Sequence, residues 1–178
     1  MLLDGQVVSW YSTAVTDFEA KLFQLEIGPH LGQQVWETLN FLIVLRIWKA
    51  HWAQTRVKLE VRSDNVTALS VISGLRGKGF ALNLIARELA LDLGDGSFRP
   101  DVVAHSPGVS SKVADALSRK HQPGVNFVLP TVLRKVPEVI PPPRTMEFFL
   151  TQDTAALQVA VEKRAVSQYF DELATSMP

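Results

Sequence analysis

A layered α/β domain is what this sequence predicts, and three observations carry the prediction. Strand-length apolar alternation, helix-period apolar repeats and glycine-marked turns succeed one another through residues 1–122. Asp4-Gly5 is a hairpin-turn signal leading into a strand over 6–11. Residues 33–53 form a long helix. Val57, Leu59 and Val61 alternate with Lys58, Glu60 and Arg62, the period of a half-buried strand. Residues 65–75 follow as a short helix stopped by Gly74 and Gly77, with Ser63 or Asp64 available to cap it. A helix over 80–93 ends at Gly94, a short strand covers 101–105, and a last helix covers 110–119.

Beyond this domain the texture changes. Six of the ten prolines lie between Pro123 and Pro143, so 123–152 reads as a Pro-rich linker, extended over a surface or semi-rigid. The remainder, 153–178, reads as one helix with Leu157, Val161, Ala165, Tyr169 and Leu173 every four residues, capped by Asp153 or Thr154.

Composition bounds the function. The 178 residues contain no cysteine, which excludes a disulfide scaffold and a Cys-based zinc site. Eighteen basic groups balance eighteen acidic ones, so net charge alone attracts no nucleic acid, although a local basic face is compatible with it. At 47% hydrophobic residues the chain has the composition of a folded protein. Its richest apolar stretch, 35–52, is interrupted by Glu37, Asn40, Arg46 and Lys49, so no membrane span is expected. The first ten residues lack the basic start of a secretory signal, and the expected location is intracellular.

Three places can carry chemistry. On the long helix Gln33, Glu37, Asn40, Val44 and Trp48 share a stripe opposite Arg46 and Lys49, which mark the solvent face. Glu37 then points toward the protein and calls for a partner or a metal, unless it sits on the rim in water. Asp64, in the run Arg62-Ser63-Asp64-Asn65 at a strand end, is placed either to bind a metal or to cap the next helix. His105 in a loop precedes Asp115 inside a helix by ten residues. One Glu and two Asp on three elements can form an acidic cage for a hard divalent cation. Arg76-Gly77-Lys78-Gly79 makes a small basic loop, and Arg62 and Lys112 flank the acidic residues; such side chains either contact phosphates or are simply solvated.

The blocks WETLNFLIVLRIW (36–48), VRSDNVTAL (61–69), NLIARELALDL (83–93) and HSPGVSSKVADALSR (105–119) together resemble the ribonuclease H domain of gypsy-type retrotransposon polyproteins. The resemblance runs over about residues 4–120, and the Pro-rich stretch is similar to the segment on the C-terminal side of that domain in such elements. The last block is the most specific, matching His-x-Pro-Gly-x-x-Asn-x-x-Ala-Asp-x-Leu-Ser-Arg except that Ser111 stands in place of the asparagine. The resemblance implies a ribonuclease H-like mixed sheet flanked by helices, and a metal-dependent endonuclease for the RNA strand of an RNA–DNA hybrid. It assigns Glu37, Asp64 and Asp115 as ligands of Mg²⁺, with Mn²⁺ as a substitute, and His105 as the mobile-loop histidine that assists water delivery or product release.

The family's first catalytic aspartate, in a Thr-Asp-Ala-Ser-like opening strand, has no counterpart in this sequence, since Asp4 belongs to a turn. The resemblance thus implies a domain incomplete at its N-terminus, lacking the first strand, with catalysis weakened or lost and a sheet edge open to a protein partner. The alternative function is a non-catalytic interaction module derived from the same element, using the C-terminal helix to dock on a partner or on its own domain. Integrases share the acidic-cage logic, but the His-Ser-Pro-Gly block fits them poorly.

Overall fold

The computed structural model describes residues 1–28, 32–52, 59–95, 100–105 and 112–149. The chain is mixed α/β. It divides into two compact units, Met1–Arg144 and Thr145–Pro178. The helix expected over 153–178 lies outside the described residues. Among the described residues no helix is long and apolar enough to cross a membrane.

The first unit opens with a hairpin. Strands β1 (Leu2–Leu3) and β2 (Gln6–Val7) pair antiparallel, with Leu3 opposite Gln6. Asp4 (φ 49°) and Gly5 (φ 78°) both take left-handed backbone, as the tight hairpin turn between them requires. The strand expected over 6–11 is shorter, because the chain leaves this hairpin and Trp10 instead bridges Glu138 of the Pro-rich segment.

Helix α1 (Asp17–Phe23) has no counterpart among the elements expected from periodicity. Its signal was a capping box, Thr16-x-x-Glu19: the Thr16 hydroxyl accepts from Glu19 N–H, and the Glu19 carboxylate accepts from Thr16 N–H. Seven residues are too few to display a helical period, so the cap is the whole local signature.

Helix α2 (Gln33–Ile47) continues into a short 3₁₀ turn, Lys49–His51. Its buried residues are Val35, Thr38, Leu39, Leu42, Ile43 and Leu45, so the inward face is displaced from the expected stripe. Gln33 and Asn40 are exposed, Glu37 and Val44 intermediate, and only Trp48 of that stripe is buried. Arg46 is not on a solvent face. Its side chain is 15% exposed and donates to Glu88 (2.6 Å) and Asp92 (2.7 Å) on α4. A guanidinium reaches inward when carboxylates on a neighbouring helix meet it, and no local pattern encodes that neighbour. Lys49 is exposed, as expected.

Strand β3 (Leu59–Ser63) keeps the expected alternation, with Glu60 and Arg62 exposed and Leu59, Val61 and Ser63 half-buried; residues 53–58 lie outside the described residues. It pairs in parallel with β4 (Pro100–His105), with Val61 beside Val103 and Ser63 beside His105. A parallel pair needs a crossover, and α3 (Val66–Gly74) and α4 (Phe80–Asp95) supply it. The two strand pairs form two separate sheets among the described residues rather than one mixed sheet.

Gly74 does not stop α3. Leu75 takes the left-handed cap position (φ 49°), and its N–H donates to the Val71 carbonyl. Gly77 has a different task, since a Cβ there would come within 2.4 Å of Leu82 Cβ and 2.5 Å of the Leu82 carbonyl carbon. α4 can begin so soon after α3 only because that space is empty. Helices α2, α3 and α4 pack together through Leu39, Leu42, Ile43, Ala68, Val71, Ile72, Leu82, Ile85 and Leu89, all nearly inaccessible. Each fully buried Leu or Ile contributes on the order of 1.5–3 kcal/mol, which makes this layer the main source of stability.

Helix α5 (Lys112–Ser118) buries none of its residues. The Pro-rich segment after it belongs to the first unit, which runs to Arg144. Trp10 N–H donates to the Pro137 carbonyl, Val139 N–H donates to the Trp10 carbonyl, and Trp10 Nε1 donates to the Val136 carbonyl. Lys120 lies 4.9 Å from the Trp10 ring centroid and pairs with Glu138. Leu133 is buried at 2% exposure. At the end of the segment, Arg144 donates to both oxygens of the inaccessible Glu19 carboxylate, to Thr13 Oγ1 and to the Ala14 carbonyl. In the second unit the described residues form a 3₁₀ turn, Met146–Phe149, with the Phe148 and Phe149 rings edge to face at 5.1 Å.

Candidate functional site

An open cleft of about 550 Å³ lies at the carboxyl end of β3, lined by Gln33, Gln34, Glu37, Asp64, Asn65, Val66 and Thr67. Two chain segments meet there: the first turns of α2 and the β3–α3 connection. Both helices direct N-termini with positive partial charge toward this region, and neither has an acidic residue in its first turn.

Glu37 sits in the second turn of α2. Its Oε1 accepts from Gln33 Nε2 at 3.0 Å, one helical turn earlier, while its Oε2 is buried with no hydrogen-bond partner among the described residues. A carboxylate oxygen shielded from water with no donor is unfavourable until a cation or donor reaches it.

Asp64 is exposed and follows β3 directly. The capping role open to it falls to the next residue: Asn65 Oδ1 accepts from Ala68 N–H at 3.0 Å, and Ser63 Oγ accepts from Asn65 N–H at 3.1 Å. Asn is as good an N-cap as Ser or Asp, so local sequence did not distinguish the three neighbours. With Asn65 as the cap, the Asp64 carboxylate has no protein donor among the described residues.

The cleft thus brings together Glu37 and Asp64, two of the three expected acidic ligands. It does not include Asp115. That carboxylate lies on α5, more than half exposed, and accepts from Arg119 at 3.0 Å across one helical turn. Among the described residues no three His, Asp or Glu side chains gather as a metal cage. His105 is exposed at the end of β4, where its backbone lies beside Ser63 and so at the same end of the sheet as Asp64. Residues 106–111, which include Pro107, Gly108 and Ser111, lie outside the described residues.

The expected basic residues do not line the cleft. Arg62 is exposed and pairs with Glu60 at 2.7 Å. Arg76 and Lys78 are exposed in the α3–α4 connection, and Lys112 is exposed at the start of α5.

Gln34, Asn65 and Thr67 line the cleft although sequence reasoning assigned them no function. Their signal was adjacency: each lies within three residues of Glu37 or Asp64, and polar residues flanking a strand-end acid share its crevice. The lining offers hard oxygen donors and amides with no thiol or imidazole, a set suited to Mg²⁺, Mn²⁺ or Ca²⁺ rather than to softer metals. Two carboxylates fit Mg²⁺ in particular, which is held at many phosphate-handling sites by one or two carboxylates plus substrate oxygens. Comparison with protein families, curated proteins and solved structures finds no match for this chain.

Proposed function

We propose that this chain is a ribonuclease H-like module derived from a gypsy-type retrotransposon polyprotein, acting inside the cell on RNA–DNA hybrids with weakened metal-dependent cleavage. The observation that carries the reading is the convergence of Glu37 and Asp64 on one cleft, with a Glu37 oxygen buried and unpartnered among the described residues. In this reading the two carboxylates hold one Mg²⁺, or Mn²⁺ in its place. Such an ion neutralises charge on phosphate oxygens and makes a water nucleophilic at neutral pH.

The chain's own residues supply the rest. Gln33 orients Glu37, and Asn65 fixes the β3–α3 connection that presents Asp64. Cleavage is weak because Arg119 engages Asp115 and the cleft lining holds two carboxylates, Glu37 and Asp64, too few ligands for a paired-metal clamp. The Asp115–Arg119 pair also favours a second reading, a non-catalytic module derived from the same element.

Calorimetric titration of the full chain with MgCl₂ and MnCl₂, beside a gel assay on a labelled RNA–DNA hybrid, tests both readings. We expect cation binding that Glu37→Gln and Asp64→Asn each abolish, with slow cleavage of the RNA strand. Brisk cleavage lost in Asp64→Asn refutes the weakening, whereas cation binding without cleavage selects the non-catalytic module. Absence of cation binding refutes the site itself.

A further inference from the structure

The parallel pair β3–β4 leaves an edge whose side chains match themselves. Among the described residues β3 pairs with β4 alone, so the opposite edge of Leu59–Ser63 presents backbone donors and acceptors with no strand beside it. Parallel sheets are ordinarily embedded among further strands, and a two-stranded one is an incomplete layer. Proteins blunt such edges with lysine, proline or inward charge, and β3 has neither lysine nor proline.

Its charges instead have a self-complementary order. Read through Val61 as centre, Leu59-Glu60-Val61-Arg62-Ser63 places an acid one residue before and a base one residue after. When two such strands run antiparallel about a two-fold axis at Val61, each Glu60 stands directly opposite an Arg62 of the second copy. Directly opposed residues lie on the same face with Cβ atoms roughly 4.5–5.5 Å apart, within reach of an ion pair. Both side chains are exposed, Arg62 at 66% and Glu60 at 44%, and pair with each other along the strand face. The two-fold axis also keeps the faces aligned. The half-buried positions 59, 61 and 63 lie on the side that α3 covers, so both copies place α3 on one side and the charges on the other.

We infer that β3 is an association edge for a second copy of this chain, giving a continuous four-stranded sheet in the order β4–β3–β3–β4. The same charges that match an identical antiparallel strand oppose a strand of uniform charge, which makes the edge selective for itself. This inference does not rest on the cation-binding reading of the cleft.

Sedimentation equilibrium of the full chain over a concentration series tests it. The wild-type chain should dimerise. Arg62→Glu and Glu60→Arg should each weaken dimerisation about tenfold or more, since four like charges then gather at the axis. Mixing the two variants, or combining them in one chain, should restore association. The chain has no cysteine, so Val61→Cys offers a clean geometric check: it should cross-link to its own copy on mild oxidation, because opposed strand positions match disulfide spacing. Leu59→Cys, which faces Ser63 of the second copy, should not. A chain that stays monomeric with no Val61→Cys cross-link overturns the inference, and so does a dimer indifferent to both charge reversals.

Discussion

Replacing Arg144 by Met removes a guanidinium that ties the two ends of the first unit together, and its effect is large enough to measure cleanly. Arg144 is 5% exposed at its side chain and Glu19 is inaccessible. The guanidinium donates to Glu19 Oε1 at 2.5 Å and Oε2 at 3.1 Å, to Thr13 Oγ1 at 2.7 Å and to the Ala14 carbonyl. Methionine keeps much of the side-chain volume, so the change removes the charge and its hydrogen bonds with little loss of packing. The Glu19 carboxylate retains its contacts with Thr16 but loses its counter-ion in a site closed to water. Removing one partner of a buried pair costs about 3–5 kcal/mol, a large share of a typical total of roughly 5–15 kcal/mol. For a chain of this size the melting temperature should fall by roughly 6–20 °C. Urea denaturation followed by circular dichroism is the assay. The paired change Glu19→Leu with Arg144→Met should cost less than Arg144→Met alone, because no charge is then left stranded. A single substitution costing under about 1 kcal/mol, or a double variant as costly as the summed singles, shows that Glu19 does not depend on Arg144 as its counter-ion.

Three further substitutions probe burial near Arg144 and the close approach of α3 and α4. Burial raises the Tyr11 phenol above its ordinary value of 10, Arg144 opposing and Glu19 reinforcing that shift. The unfolded chain therefore ionises first, so this contribution is complete below about pH 10 and is lost as pH rises above it. Tyr11→Phe should flatten the alkaline limb of urea midpoints against pH, while costing about 1 kcal/mol at neutral pH through the lost hydrogen bond to Asn40; an unchanged limb argues against the phenol as its source. In the α3–α4 region, Gly77→Ala forces a Cβ against Leu82 and should destabilise by about 1–3 kcal/mol. Gly74→Ala meets nothing within 4 Å and should be neutral or stabilising by up to about 1 kcal/mol; equal denaturation midpoints for the two variants contradict the close-approach explanation.

Local pattern was enough to determine the Asp4-Gly5 turn, the presence of α2 and α4 and the alternation of β3, because a tight turn and a repeat of two or 3.6 residues are written in neighbouring positions, although α2 buries a different face from the expected stripe and α4 runs through Gly94 to Asp95. It also singled out Glu37 and Asp64, which the fold places on one cleft. Tertiary structure decided everything that depends on a distant partner. Arg46 turns inward because Glu88 and Asp92 lie on a helix more than forty residues away. Asp115 faces Arg119 and not the cleft, since α5 lies with none of its residues buried. Asn65, rather than either of its neighbours, spends its side chain on the cap, which leaves Asp64 for the cleft. The prolines foretold an extended segment, yet its place beside Trp10 and its anchor on Glu19, 125 residues from Arg144, come from long-range hydrogen bonds and a buried ion pair. Short-range repeats specify which residues can form an element, whereas charges and orphan polar groups are satisfied only where the fold brings another segment to them.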